Sequence, residues 1–271
     1  MNLSGVGYLE AITDQYLMDL VAEQAIEGKV SGELNYVEAP EYFVPKPHHI
    51  PHPTLKNVYI GRFGRKSSSI DLLHRTVDAF KEDIGITSDY DTQDPVNKEF
   101  FTISGDQVGD PEIPASVVNS VAFYLRTLEA PRRRDLDDPD VIEGERIFKD
   151  IGCSDCHKPT MKTGDSEIAA LDNVEFHPYT DLLLHDLGST LDDGYTEGTA
   201  KTSEWRTLAL WGLGLQIESQ GGQIYLMHDG RATSYAEAIA LHGGEAAEKR
   251  GNYNQLSETE KEQLFAFLNS L

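Results

Sequence analysis

The chain has 271 residues, 39% of them hydrophobic and 9% aromatic, which is enough to bury a core in one large or two small domains. Its 46 Asp and Glu residues against 23 Lys and Arg give a formal net charge of -23. That field argues against nucleic acid or an anionic membrane as a partner and suits a basic protein or saline surroundings, although a solvated acidic face explains the same count.

In chain order, residues 1–25 lack the basic start and apolar core of a signal peptide, and no apolar run anywhere reaches membrane-spanning length. The tract Pro45-Lys-Pro-His48-His49-Ile-Pro-His52 is metal-binding by composition and reads more simply as a proline-rich loop. Helical periodicity covers Ala115 to Leu128. A charged, proline-bracketed run over 129–139 then forms an interdomain linker. A second helix is expected over Asp140 to Ile151, with Gly144 and Phe148 on one face and Gly152 as its stop.

Directly after it comes Cys153-Ser-Asp-Cys156-His157, which contains both cysteines of the chain. The spacing fits covalent attachment of one haem c: two thioethers hold the porphyrin and the adjacent histidine places its imidazole under the iron. A zinc ribbon needs a second ligand pair that is absent, and a thioredoxin-type site leaves the histidine unexplained. With both cysteines used, no disulfide framework is expected. Because haem is attached to this motif outside the cytoplasm, the protein is expected to be periplasmic or otherwise exported, with an export signal encoded upstream of Met1.

For the other face of the iron the candidates are Met18, Met161, Met227 and any histidine that folding brings near, with Met161 too close behind the motif to wrap around the porphyrin. Ser234-Tyr-Ala-Glu237-Ala-Ile-Ala-Leu-His242-Gly-Gly reads as a short helix with a capping box at Ser234 and Glu237 and a glycine stop, which places His242 in its last turn. The terminal helix starts at a capping box, Ser257 and Glu260, and carries Leu264, Phe267, Leu268 and Leu271 on one face. In class I cytochromes c the helix before the haem motif crosses the last helix, and the spacing here resembles that arrangement. The octets Val121–Leu128 and Leu264–Leu271 also share an apolar first residue, close aromatics, and Leu at positions five and eight. The chain therefore reads as mainly α: a class I cytochrome c-like haem domain over 140–271, preceded over 1–128 by the C-terminal part of a domain of the same kind with long loops and no haem motif.

Several further segments carry a resemblance. They are Leu3-Ser-Gly-Val-Gly-Tyr-Leu-Glu-Ala-Ile12, Gly61-Arg-Phe-Gly-Arg-Lys66, Asp83-Ile-Gly-Ile-Thr87, His177-Pro-Tyr-Thr-Asp-Leu-Leu-Leu-His-Asp-Leu-Gly188, Glu204-Trp-Arg-Thr207, Trp211-Gly-Leu-Gly214, His228-Asp-Gly-Arg-Ala232 and His242-Gly-Gly-Glu-Ala246. With the haem motif they run through almost the whole sequence. The chain resembles the di-haem oxidoreductase family, peroxidase-like proteins also labelled thiol oxidoreductases and distantly related to bacterial di-haem cytochrome c peroxidases.

That resemblance implies an N-terminal haem domain ahead of Leu3, which is where peroxide would react, so the catalytic residues are not identified here. It also places His242 where those peroxidases have a methionine ligand, making bis-histidine ligation by His157 and His242 the first choice and Met227 the alternative. Arg206 and Arg231 could hold haem propionates, or be surface arginines. Trp205 and Trp211 could flank the porphyrin, or be core residues. His177 and His185 match family positions and are expected to anchor loops. The function implied is a peroxidase-like oxidoreductase whose C-terminal haem relays electrons from a basic donor protein to the N-terminal haem. The rivals are a plain electron-transfer module and a haem-based gas sensor.

Overall fold

The computed structural model describes residues 3–95 and 108–271, so part of the 1–128 segment lies outside the described residues. The chain is mainly helical, and its strands form only two-stranded ribbons. In the first half α1 (Val6–Glu10) leads into α2 (Asp14–Glu27). The hydroxyl of Thr13 caps α2 by accepting the Tyr16 amide, and Gly28 ends it in the left-handed region. β1 (Tyr36–Glu38) and β2 (Val58–Ile60) pair antiparallel, Tyr36 opposite Ile60. α3 (Leu72–Asp78) and α4 (Ala115–Thr127) follow.

The second half begins with α5 (Pro139–Asp150), capped by Asp138 and with proline in its first turn, where a missing amide costs nothing. It ends one residue earlier than the sequence suggests, and Gly152, at φ 89°, turns the chain into Cys153. Two ribbons fill the long excursion that follows: β3 (Met161–Lys162) with β4 (Glu175–Phe176), and β5 (Leu184–Asp186) with β6 (Glu204–Arg206). Short helices α6 (Gln216–Ser219), α7 (Tyr235–Leu241) and α8 (Ala247–Asn254) lead to α9 (Glu258–Ser270).

The expected capping box opens α9, and Leu264, Phe267, Leu268 and Leu271 are all buried. At α7 only half of the expected box forms. Ser234 accepts the Glu237 amide, and the Glu237 carboxylate takes its closest donors from the amide and hydroxyl of Thr233, at 2.7 and 2.8 Å.

α5 crosses α9 at Gly144, where a Cβ would overlap the Gln263 carbonyl oxygen and lie 2.7 Å from the Phe267 Cβ. This contact closes a cluster containing Phe148, Tyr179, Tyr253, Leu264 and Phe267. The cluster around α1 and α2 is not built from the first half alone. Met161, Phe176, Leu182, Leu183 and Trp211 pack into it beside Leu9, Leu17 and Phe63. The 129–139 run is also tied down, with the Arg134 amide donating to Ser270 O at 2.8 Å and Arg133 pairing with Glu145.

Candidate functional site

A cavity of about 770 Å³ lies between the two clusters, lined by apolar side chains and by Cys153, Cys156, His157, Arg206, His228 and His242. That volume is in the range of sites that enclose a cofactor. Cys153 and Cys156 stand on a single 3-10 turn released by Gly152, and both thiols are free. Burial pushes the Cys153 thiol up to about 12 and raises Cys156 as well, so neither is a ready thiolate.

His157 follows on the same turn. Its Nδ1 donates to the carbonyl of Tyr179 at 3.0 Å, an acceptor that fixes the proton on Nδ1 in a neutral ring and leaves Nε2 as a free lone pair. Burial lowers the pKa of His157 to about 4, so the ring is neutral at physiological pH. Tyr179 holds this position with φ 54°, a left-handed conformation for a bulky residue at the point where its carbonyl is needed.

His242 repeats the pattern. It is the C-terminal cap of α7, and its Nδ1 donates back to Ala238 O at 2.7 Å. Burial lowers its pKa too. Two neutral imidazoles, each with Nδ1 tied to a backbone carbonyl and Nε2 uncommitted, therefore line one cavity together with the Cys-x-x-Cys turn. This donor set fits a haem.

Arg206 is 3% exposed and donates its Nε to Gly64 O at 2.9 Å. Among the described residues no carboxylate comes within ion-pair distance of it, and burial lowers its pKa to about 10. A buried guanidinium without an anion is costly unless one arrives with a ligand. Arg231 is placed differently. It is exposed, paired with Asp229, and absent from the cavity wall because Asp229, two residues away, captures it on the surface.

Trp205 and Trp211 both line the cavity and both are buried. Trp205 donates to Leu191 O at 2.8 Å and stacks on His228, with centroids 4.1 Å apart and planes 25° off parallel. Sequence reasoning left His228 out of the site. Its only local signal is the His-Asp-Gly turn, and nothing in that turn announces a partner 23 positions earlier. Met227 lines the cavity at φ 67°, Met161 is in the core, and Met18 is on the exposed side of α2.

His185 anchors loops, as expected, though by charge. Its Nε2 lies 2.9 Å from Asp181 Oδ2 and its Nδ1 3.0 Å from Glu245 Oε2. Burial opposes the charge, but the two carboxylates hold the pKa up at about 12. The imidazolium thereby ties the strand behind Tyr179 to the turn after His242. Cys156, Asp181 and His185 are also close enough to hold a metal ion, but both ring nitrogens are already engaged. His177 is exposed, with Nδ1 3.0 Å from Thr160 Oγ1. In the 45–52 tract the Nδ1 atoms of His49 and His52 accept local backbone amides, the behaviour of a folded loop.

The family described as "di-haem oxidoreductase, putative peroxidase" matches residues 1–271, the whole chain. No curated protein matches it significantly. Among the described residues no helix is long and apolar enough to cross a membrane.

Proposed function

The chain belongs to the di-haem oxidoreductase family, and from that premise we propose that it carries one covalent haem c in this cavity and works as the electron-relaying half of a peroxidase-like enzyme. The observation that carries the reading is the pair of half-buried, neutral, carbonyl-tethered imidazoles facing one cavity with the Cys-x-x-Cys turn. Cys153 and Cys156 would form the thioethers, His157 the proximal ligand and His242 the distal one. A haem held this way supplies an iron that accepts and releases single electrons.

The protein's own residues set the conditions for that. Tyr179 O and Ala238 O orient the rings and raise their basicity as ligands. Arg206, buried in the cavity wall, would hold a propionate, and the apolar wall with Trp205 and Trp211 would keep water from the centre. The domain reading follows: 140–271 as a cytochrome c-like unit, 129–139 as a connector, and 1–128 as part of a second unit. The acidic surface favours a basic electron donor, and covalent haem attachment at Cys153 and Cys156 would call for the periplasm or another exported compartment.

A plain electron carrier is the second reading, and it is favoured by the same two histidines, because an iron with both faces ligated leaves no position for peroxide. Optical and spin-resonance spectra of the wild type beside His242→Ala and Met227→Ala test the ligand set. Loss of the low-spin spectrum in His242→Ala alone is expected, and an unchanged His242→Ala spectrum rules the bis-histidine reading out. Peroxide-dependent turnover separates the enzyme from the carrier.

A further inference from the structure

The carbonyl that tethers His157 belongs to a residue that is itself clamped from a distant part of the chain. Tyr179 is 4% exposed and adopts φ 54°, a conformation that is unfavourable for a residue with a Cβ and is kept only where the surroundings over-determine it. Its ring stands edge-on to Phe148 and Phe267, with centroids 6.1 and 5.6 Å away. Its hydroxyl accepts from Arg133 Nη1 at 3.3 Å. On the other side of the residue, the Thr180 amide donates to Lys158 O at 3.1 Å, which joins this backbone to the residue that follows His157.

Arg133 comes from the charged 129–139 run, 46 positions before Tyr179. It is half-buried and held on three sides. Nη1 also donates to Glu145 Oε2 of α5 at 2.6 Å, Nε to Ser270 Oγ of α9 at 3.4 Å, and the guanidinium carbon lies 4.9 Å from the Phe267 ring centroid. Glu145 already neutralises the arginine and accepts from Lys149 Nζ at 2.7 Å as well. The contact with the Tyr179 hydroxyl is therefore not needed to satisfy either charge. What it does is hold the ring. The neighbouring Arg132 makes the contrast, since its side chain is 86% exposed and pairs with Glu129 on the surface at 3.0 Å.

We infer that Arg133 is a positioning residue for His157, acting through the Tyr179 hydroxyl. The 129–139 run fixes the Tyr179 ring, the ring fixes the left-handed backbone, and the backbone fixes the length of the bond from His157 Nδ1–H to Tyr179 O. The strength of that bond sets how much electron density the imidazole gives to an iron. A connector between the two halves thus tunes the potential of a haem bound at Cys153 to His157, and a pull on the run reaches the ligand through one side chain. The inference rests on reading His157 as a haem ligand, and it adds the residue that governs its basicity.

The test measures reduction potentials of the holoprotein by optical titration for the wild type, Arg133→Gln, Tyr179→Phe, the double variant and Arg132→Gln. Tyr179→Phe keeps the ring that packs on Phe148 and Phe267, and Arg133→Gln leaves Glu145 its bond to Lys149. Each single variant is expected to raise the potential, because a weaker bond from Nδ1–H makes the imidazole a poorer donor to oxidised iron. The rise reads as a larger reduced fraction at a fixed applied potential. The His157 Nδ1–H proton, followed by magnetic resonance, should exchange faster with solvent in both. The double variant should move no further than the larger single one, since both substitutions act on one bond, and Arg132→Gln should move nothing. Shifts that add in the double variant overturn the inference, as does a low-spin haem whose potential stays put. Should Arg133→Gln not fold, Tyr179→Phe decides alone. A preparation without covalent haem overturns the relay reading and this inference with it, whereas haem present at unmoved potential overturns this inference only.

Discussion

Gly144 and Gln263 lie in such close contact across α5 and α9 that the glycine hydrogen occupies the only space available beside the carbonyl oxygen. This crossing carries the ring cluster of Phe148, Tyr179 and Phe267, with centroids 5.2 to 6.1 Å apart, and Phe148 lies 6.4 Å from the His157 ring. The backbone approach of two helices thus sets the position of the His157 ring.

Gly144→Ala is accordingly expected to cost on the order of 3 kcal/mol, since a methyl group forced against backbone cannot be relieved by rotamer change. Gly251 in α8 has open space where a Cβ would go, and Gly251→Ala should be neutral or stabilising by up to about 1 kcal/mol. Denaturant midpoints of the two variants check this. Equal midpoints would mean that the crossing yields easily.

Lys66 is 1% exposed, and its Nζ donates to Asp193 Oδ1 at 2.9 Å and to the carbonyls of Tyr195, Lys201 and Thr202, while lying 4.3 Å from the Trp205 ring centroid. Lys66→Met leaves those acceptors unsatisfied in a confined space. A loss of about 2 kcal/mol is expected, read as a lower urea midpoint at constant slope. A fall below about 0.5 kcal/mol would show that water replaces the ammonium.

Glu10 joins α1 to α4 and α3. Its carboxylate accepts from Arg126 Nε at 2.6 Å and from the Leu72 amide at 2.9 Å. Burial by itself raises its pKa, but Arg126, Lys46 and the amide outweigh that and lower it from 4.5 to about 2. With the folded value depressed, the stabilisation is full above pH 4.5 and is lost as pH falls towards 2, up to about 3 kcal/mol in all. Acid titration of stability should be shallower in Glu10→Gln over that window. Parallel curves would refute the assignment.

His242→Met should raise the reduction potential of the haem, because a thioether ligand favours the reduced iron relative to imidazole. Potentiometric titration followed optically gives the answer. An unchanged potential would place His242 outside the coordination sphere, whatever the state of the other residues in the cavity.

What the sequence determined by itself is local chemistry: the Cys153 to His157 turn, the capping box and apolar face of α9, the glycine stop before the haem motif, and a mainly helical chain. Each is legible because cause and effect lie within one or two helical turns. The tertiary structure decided the rest. It placed Arg206 in the cavity wall and left Arg231 on the surface with Asp229. It set His228 on Trp205 and His185 between Asp181 and Glu245, contacts between residues up to 60 positions apart. It also gave the octet repeat its meaning by pairing Gly5 with Leu128 and Gly212 with Leu271. Such contacts depend on how separate elements pack, and packing is fixed by the whole core and not by any stretch of residues.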